Sequence, residues 1–103
     1  MNIALDWDDT YTADPEAWDN VIAVLLNFNH DVRFVTHRHP IADCIGWHII
    51  PVHYTNGVAK KWWLEANTDW TPDVWIEDSP EGILNNSDKS KEWLAEWRAT
   101  REG

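Results

Sequence analysis

The sequence predicts an α/β fold, a three-layer Rossmann-like sandwich with a mostly parallel sheet of about four strands. Short apolar runs alternate with segments of helical periodicity along the chain, and this alternation is typical of a parallel sheet covered by helices. The 103 residues suffice for one core, so we expect a single domain over residues 1–103. Hydrophobic residues make up 44% of the chain and charged residues 25%, the balance of a soluble globular protein.

Two strands and one helix are predicted in the N-terminal part of the chain. Residues 3–5 form a short apolar run before Asp6, which indicates a buried strand. Asp14 and Pro15 supply a helix N-cap and a helix-opening proline, and apolar residues then recur at helical spacing as far as Phe28. A second apolar run over residues 32–35 predicts a strand that ends at Thr36.

The next segment predicts a short helix and an edge strand. His39 and Pro40 begin the helix, which extends to about residue 45 before Gly46 ends it. Residues 47–54 are typical of a third strand. Pro51 inside this strand indicates an edge position, because proline cannot donate a ladder hydrogen bond.

The remaining predicted elements complete the alternation. Asn56 and Gly57 predict a turn, and the helix after it directs Trp62 and Trp63 toward the core or its margin. The elements that follow the turn are a helix over residues 58–66, a strand over residues 74–76, a loop over residues 79–82 and a helix from about residue 88, with Trp93, Leu94 and Trp97 on one face.

The net charge of −10, from 18 acidic and 8 basic residues, limits the partners that the protein can bind. Nucleic-acid backbones and anionic membranes are bound by clusters of Lys and Arg, so we expect neither a nucleic-acid surface nor a membrane partner. Cys44 is the only cysteine, so no intrachain disulfide can form. A reduced thiol and an N-terminus without the pattern of a signal peptide predict a cytoplasmic protein.

Polar residues follow three of the predicted strands: Asp6 the first, Thr36 the second, and Glu77 with Asp78 the fourth. Right-handed crossovers place the carboxyl ends of parallel strands at one edge of a sheet, where open α/β sheets bind ligands. Asp8 faces the same way as Asp6 if the backbone stays extended. Carboxylates gathered at one place repel one another unless a hard cation such as Mg²⁺ binds them together with a substrate phosphate. The sequence therefore predicts a magnesium-dependent phosphoryl-transfer site.

Four segments, in chain order, resemble the motifs of the haloacid dehalogenase-like (HAD) phosphohydrolase superfamily. The run Asp6-Trp7-Asp8-Asp9-Thr10 after an apolar strand resembles the DxDxT first motif. Thr36, at the end of a strand, is similar to the second motif, and Lys60, which opens a helix, is similar to the third. The run Glu77-Asp78-Ser79-Pro80 resembles the fourth motif, in a form close to that of the carboxy-terminal-domain phosphatases. The resemblance covers nearly the whole chain.

This resemblance implies a phosphatase that works through an aspartyl-phosphate. Asp6 is then the nucleophile, Asp8 is the general acid and later the base that activates water, and Thr10 orients Asp8. Thr36 and Lys60 steady the phosphoryl group and its developing charge. The implied magnesium ligands are Asp6, the backbone carbonyl of Asp8 and Asp78, with Glu77 nearby.

Two features depart from the family pattern. Lys61 competes with Lys60 for the third motif, and the sequence leaves this choice open. The stretch between Thr10 and Thr36 is mostly one helix, so we expect no cap domain of the kind with which family members select substrates. An open site suits a small-molecule phosphomonoester, a nucleotide or a phosphoprotein, and a homo-oligomeric partner is one way to cover it.

Other interpretations remain open from the sequence. A catalytically silent binding or regulatory protein on the same fold holds a phosphorylated ligand or partner without turnover, and a receiver-like phosphoacceptor fits the first motif poorly. Four histidines and one cysteine suggest zinc, but their spacings match no tight ligand pattern; they are His37, His39, Cys44, His48 and His53. His37, Arg38 and His39 either line the mouth of the site or form a polar loop. Trp7 either packs beneath the site or borders the substrate, and the Trp residues of the last helix either cover the core or form a self-association face.

Overall fold

The computed structural model describes residues 1–87, so the helix expected from about residue 88 and its Trp face lie outside the described residues. The elements in chain order are β1 (Asn2–Leu5), α1 (Pro15–Asn27), β2 (Asp31–Thr36), β3 (Val52–Tyr54), α2 (Lys60–Asn67), β4 (Val74–Ile76) and α3 (Glu81–Leu84). The four strands form one parallel sheet in the order β3-β2-β1-β4. The predicted α/β Rossmann-like fold is therefore confirmed, while the complete three-layer arrangement stays a prediction.

Apolar clusters cover both faces of the two central strands, because successive side chains of a strand point to opposite faces. On one face the strand residues pack with Ile22 of α1, which is fully buried. On the other face they pack with Leu64 of α2 and with Trp70. The strand residues on the α1 face are Ile3, Leu5, Val32 and Phe34, and those on the α2 face are Ala4 and Val35. β1 and β2 therefore have the continuous apolar character of strands buried on both faces.

Helix α1 begins where the sequence predicted. The side chain of Asp14 accepts a hydrogen bond from the backbone N–H of Ala17 at 3.2 Å, and Pro15 occupies the first helical position. The helix ends at Asn27, and Asn29 then adopts a left-handed conformation with φ 65° before β2. This helix occupies most of the chain between the first two strands.

The predicted third strand over residues 47–54 is too long. Only Val52–Tyr54 pair with β2, and residues 47–51 form an irregular segment. Pro51 has no N–H to donate, but its carbonyl accepts from the N–H of Phe34 at 2.9 Å, and regular pairing begins directly after it. The edge position of β3 that Pro51 indicated is confirmed.

The short helix predicted over residues 39–45 is wrong, because the chain makes a single turn there and does not continue it. The Nδ1 atom of His39 accepts from two backbone N–H groups in this turn, both at 3.0 Å. The N–H of Ile45 then donates to the Tyr54 hydroxyl at 3.1 Å, and the N–H of Gly46 donates to the Cys44 sulfur at 3.3 Å. Side chains therefore take the hydrogen bonds that a continuing helix would direct to its own carbonyls.

Three smaller predictions have mixed outcomes. The turn at Asn56 and Gly57 is confirmed, with φ of 51° and 77°. Trp63 packs against the core as expected, but Trp62 is 52% exposed. The loop predicted over residues 79–82 already contains the start of α3 at Glu81. Among the helices within residues 1–87, none is both long and apolar enough to cross a membrane.

Candidate functional site

The carboxyl ends of β1 and β4 place Asp6 and Glu77 side by side. The two strands are neighbours, with Leu5 paired to Ile76, and the N–H of Asp6 donates to the Ile76 carbonyl at 2.9 Å. A cavity of about 390 Å³ opens at this edge of the sheet, and Asp6, Glu77 and Asp78 line it. The edge at which the sequence predicted the site therefore carries a cavity, as expected for an open α/β sheet.

The loop after β1 folds Thr10 back onto Asp6. The N–H of Thr12 donates to the Trp7 carbonyl at 3.1 Å, and Asp9 takes a left-handed conformation with φ 61°. The Thr10 hydroxyl consequently lies 3.0 Å from Asp6 Oδ2 and 3.2 Å from Asp78 Oδ1. The resemblance implied that Thr10 orients Asp8, but in the structure Thr10 binds the two carboxylates at the base of the cavity instead.

Lys60 is the lysine that enters the site. Its ammonium nitrogen lies 2.9 Å from Asp6 Oδ1 and 2.5 Å from Glu77 Oε2, and all three side chains are at most 7% exposed. Lys61 is exposed, with its ammonium 5.4 Å from the centroid of the Trp62 ring. The geometry thus decides the choice between Lys60 and Lys61 that the sequence left open.

One positive charge does not balance the three carboxylates around it. Burial raises the pKa of Asp6 from 3.8 to about 7; the Lys60 ammonium opposes this rise, and a hydrogen bond with Asp78 adds to it. Burial also raises the pKa of Glu77, again against the effect of Lys60. The pKa of Asp78 is lowered, first by its hydrogen bond with Asp6. Burial beside other carboxylates therefore favours the protonated form of Asp6 more than water does.

These carboxylates have the donor chemistry of a site for a hard divalent cation. Asp6, Glu77 and Asp78 each offer an oxygen, and the three oxygens lie within 4.8 Å of one another. No other such group of His, Cys, Asp or Glu occurs within residues 1–87. The neighbouring Glu77 charge adds to the raised pKa of Asp6, and a cation bound between the carboxylates would relieve this repulsion. Lys60 binds both Asp6 and Glu77, and the Thr10 hydroxyl contacts both Asp6 and Asp78.

Asp8 lines the same cavity but has a different partner. Both of its carboxylate oxygens accept from the Arg38 guanidinium, with the shortest distance 2.7 Å. This pairing raises the pKa of Arg38, and burial opposes the rise. The Asp8 side chain is half exposed and is not one of the three carboxylates that approach each other. That the backbone carbonyl of Asp8 binds a metal ion stays a prediction.

Thr36 does not reach the cavity. It is 1% exposed, and its hydroxyl oxygen accepts from the backbone N–H of Arg38 at 3.2 Å. The expectation that Thr36 offers its hydroxyl to a phosphate is therefore not met in this structure. The threonine instead shapes the turn that begins at the end of β2 and presents Arg38 to Asp8.

The wall opposite the carboxylates combines His37, which the sequence offered as a residue at the mouth of the site, with Asn85 and Asn86, which it did not single out. The segment after α3 contributes Asn85 and Asn86. The side-chain oxygen of Asn86 accepts a hydrogen bond from the backbone N–H of Ala59, directly before α2, at 2.8 Å. His37 lines the cavity, and its Nε2–H donates to the Gly82 carbonyl at 2.9 Å. Burial, and then the Lys60 charge, lower the pKa of His37, so the ring is neutral near pH 7. No sequence pattern indicated Asn85 or Asn86, because this part of the wall forms only when α3 packs beside α2.

The other sequence candidates have structural contacts. Trp7 stacks on Tyr11 with ring centroids 4.6 Å apart and packs against the core, beneath the site. His39 accepts hydrogen bonds within its own turn, and Cys44 contacts Tyr54. The remaining imidazoles, His30, His48 and His53, lie against the N-terminus, the aromatic core and Arg33 respectively. These groups do not converge, so the structure offers no support for a zinc site within residues 1–87.

Comparisons with models of protein families, with curated proteins and with solved structures found no match. The resemblance of the four segments to HAD motifs therefore stays an interpretation of the sequence. The function is inferred below from the residues of this chain and their geometry.

Proposed function

We propose that this protein is a magnesium-dependent phosphohydrolase that transfers the phosphoryl group of a phosphomonoester to Asp6 and then to water. The observation that carries the proposal is a carboxylate, Asp6, buried at the base of a cavity and in direct contact with an ammonium group and with a second carboxylate. The resemblance of the surrounding segments to HAD motifs supports the same chemistry. Among the classes of protein considered, it favours a cytoplasmic phosphatase that acts on small molecules.

Magnesium fits Asp6 and Asp78, with Glu77 within reach, and when bound it would neutralise negative charge on the phosphoryl oxygens. Lys60 holds Asp6 and Glu77 in place and adds a positive charge beside the reacting oxygen. Thr10 fixes the orientation of the Asp6 carboxylate by its hydrogen bond to Oδ2.

The proposed reaction has two displacements at phosphorus. An Asp6 oxygen attacks, the phosphorus–oxygen ester bond breaks, and the leaving oxygen takes a proton from Asp8. Water then attacks the aspartyl-phosphate and gives a proton to Asp8, which releases inorganic phosphate and restores the Asp6 carboxylate. Asp8 suits this part because it lines the cavity while remaining half exposed.

The test is release of phosphate from an aryl phosphate with magnesium or with a chelator. We expect turnover only with magnesium, and a fall of about a thousandfold or more in Asp6→Asn, because removal of a nucleophile abolishes the covalent route. The control is Asp69→Asn, which removes the same charge from an exposed residue between α2 and β4, at the other end of the sheet. Equal turnover by Asp6→Asn and wild type would contradict the proposal.

The Arg38–Asp8 contact favours a second candidate, a protein that binds a phosphorylated ligand or partner without turnover. Both Asp8 oxygens accept hydrogen bonds from the Arg38 guanidinium, whereas the proposed first step needs one of them to deliver a proton to the leaving group. Calorimetry separates the two functions: tight, magnesium-dependent binding of a phosphomonoester to wild type, with no phosphate released over hours, would identify the binding protein.

A further inference from the structure

Acidic groups dominate the cavity beyond the three carboxylates at its base. Within residues 1–87, Lys60 is the only lysine or arginine that lines it. A divalent cation together with Lys60 balances the three basal carboxylates, and Arg38 balances Asp8. Asp9 and Glu81 also line the cavity, and no ion pair joins either of them to another described residue. The part of the cavity outside the basal site therefore carries an excess of negative charge.

Two side chains of the wall, His37 and Asn85, retain an acceptor atom, and a third, Asn86, retains donor hydrogens. The Nε2–H of His37 is used by the Gly82 carbonyl, which leaves Nδ1 as an acceptor. The side-chain amide of Asn85 donates to the Glu81 carbonyl at 2.9 Å, which leaves its oxygen as an acceptor. Asn86 is the exception, because its oxygen is used by Ala59 and its amide hydrogens remain. A ligand that fills this region can donate hydrogen bonds to His37 and Asn85 and accept them from Asn86.

We propose, resting on the proposed function, that the leaving group of the substrate carries an ammonium group among hydroxyls and carries no second anionic group. A phosphoryl group bound at the base adds its own negative charge to the site, so Asp9 and Glu81 attract a cation and repel a further phosphate or carboxylate. The volume of about 390 Å³ lies near the lower end of small-molecule sites, which fits a phosphorylated amino sugar or amino alcohol.

The experiment compares three six-carbon compounds that carry a phosphate on C6 and differ in charge: glucosamine 6-phosphate, glucose 6-phosphate and 6-phosphogluconate, the last of which is open-chain. With the full chain and magnesium at low ionic strength, we expect kcat/KM to fall in that order, by about threefold to tenfold for each unit of charge. High salt should narrow the differences, because exposed charges are screened. If aryl phosphate is hydrolysed but the three sugars are hydrolysed equally, in the reverse order or not at all, the inference is overturned.

A binding measurement separates this inference from the proposed reaction. Calorimetric dissociation constants of the three sugars for Asp6→Asn with magnesium should follow the same order whether or not wild type turns them over. Asp9→Asn and Glu81→Gln should each reduce the preference for glucosamine 6-phosphate about threefold, since each removes one of the unpaired charges. Asp69→Asn should leave the preference unchanged. If wild type shows no turnover but the three compounds bind in the expected order, only the proposed phosphohydrolase activity is contradicted. If the binding order is lost, only the preference for an ammonium group is contradicted.

Discussion

Replacement of Asp6 by Asn should stabilise the metal-free protein at alkaline pH, although it removes a residue of the proposed active site. The Asp6 side chain is 7% exposed, and burial is the main reason that its pKa is raised from 3.8 to about 7. Ionising Asp6 in the folded protein is therefore unfavourable relative to the unfolded chain. Asn has nearly the same shape and cannot ionise, so it avoids this cost.

The size and direction of the effect follow from these two pKa values. Between about pH 4 and about pH 7 the folded state holds a proton that the unfolded state has lost, so stability falls as pH rises through this window and is then constant. The whole difference amounts to about 4 kcal/mol, at about 1.4 kcal/mol per pH unit. From about pH 5 to about pH 8, the stability of Asp6→Asn relative to wild type should therefore rise by about 2–3 kcal/mol.

Urea unfolding followed by tryptophan fluorescence measures this difference, with a chelator present to exclude metal. Comparison of the variant with wild type at each pH cancels the titration of groups away from the site, and it reports Asp6 together with the Asp78 carboxylate whose pKa Asp6 lowers. Asp69→Asn serves as the charge control and should show no such trend. A stability difference that is constant between about pH 5 and about pH 8, or that falls, would refute the assignment of a buried, largely uncompensated carboxylate to Asp6.

Two further variants test other contacts of the site. Lys60→Met leaves the buried Asp6 and Glu77 carboxylates without their cation and should lower the free energy of unfolding by about 3–5 kcal/mol, measured by heat or urea. Lys61→Met, at an exposed position, should change it by less than about 0.5 kcal/mol. Equal losses of stability in the two variants would contradict the inward position of Lys60. Gly82→Ala places a Cβ 2.9 Å from the His37 ring and should cost about 1–2 kcal/mol. The cost of Gly82→Ala should largely vanish in a His37→Ala background, and a penalty that persists there would show that His37 is not the obstacle.

The parallel sheet could be predicted from the sequence because each central strand is encoded locally. Residues 3–5 and 32–35 are apolar except for Arg33, as expected of strands covered on both faces, and the structure buries all of them but Arg33. The helix between them has its own start signals in Asp14 and Pro15. Alternation of such segments then leaves few topologies, and right-handed crossovers bring the strand ends together.

The errors lie where long-range contacts override local signals. The turn at His39 does not extend into a helix because Tyr54, on another strand, takes the N–H of Ile45. The choice between Lys60 and Lys61 depends on which side chain faces the sheet edge, and that is set by the packing of α2 rather than by either residue. The hydrogen bond of Thr10 to Asp78 likewise joins positions that are far apart in the chain and meet only in the folded protein.

The most direct test of the central claim is the mass of the Asp6 peptide after a rapid acid quench during turnover of an aryl phosphate. We predict that wild type with magnesium gives a fraction of this peptide heavier by one phosphoryl group, with fragmentation that places the group on Asp6. The same peptide should be unmodified in the presence of a chelator and in Asp6→Asn. Magnesium-dependent phosphate release with Asp6 unmodified, or with the phosphoryl group on another residue, would contradict the claim that Asp6 is the nucleophile.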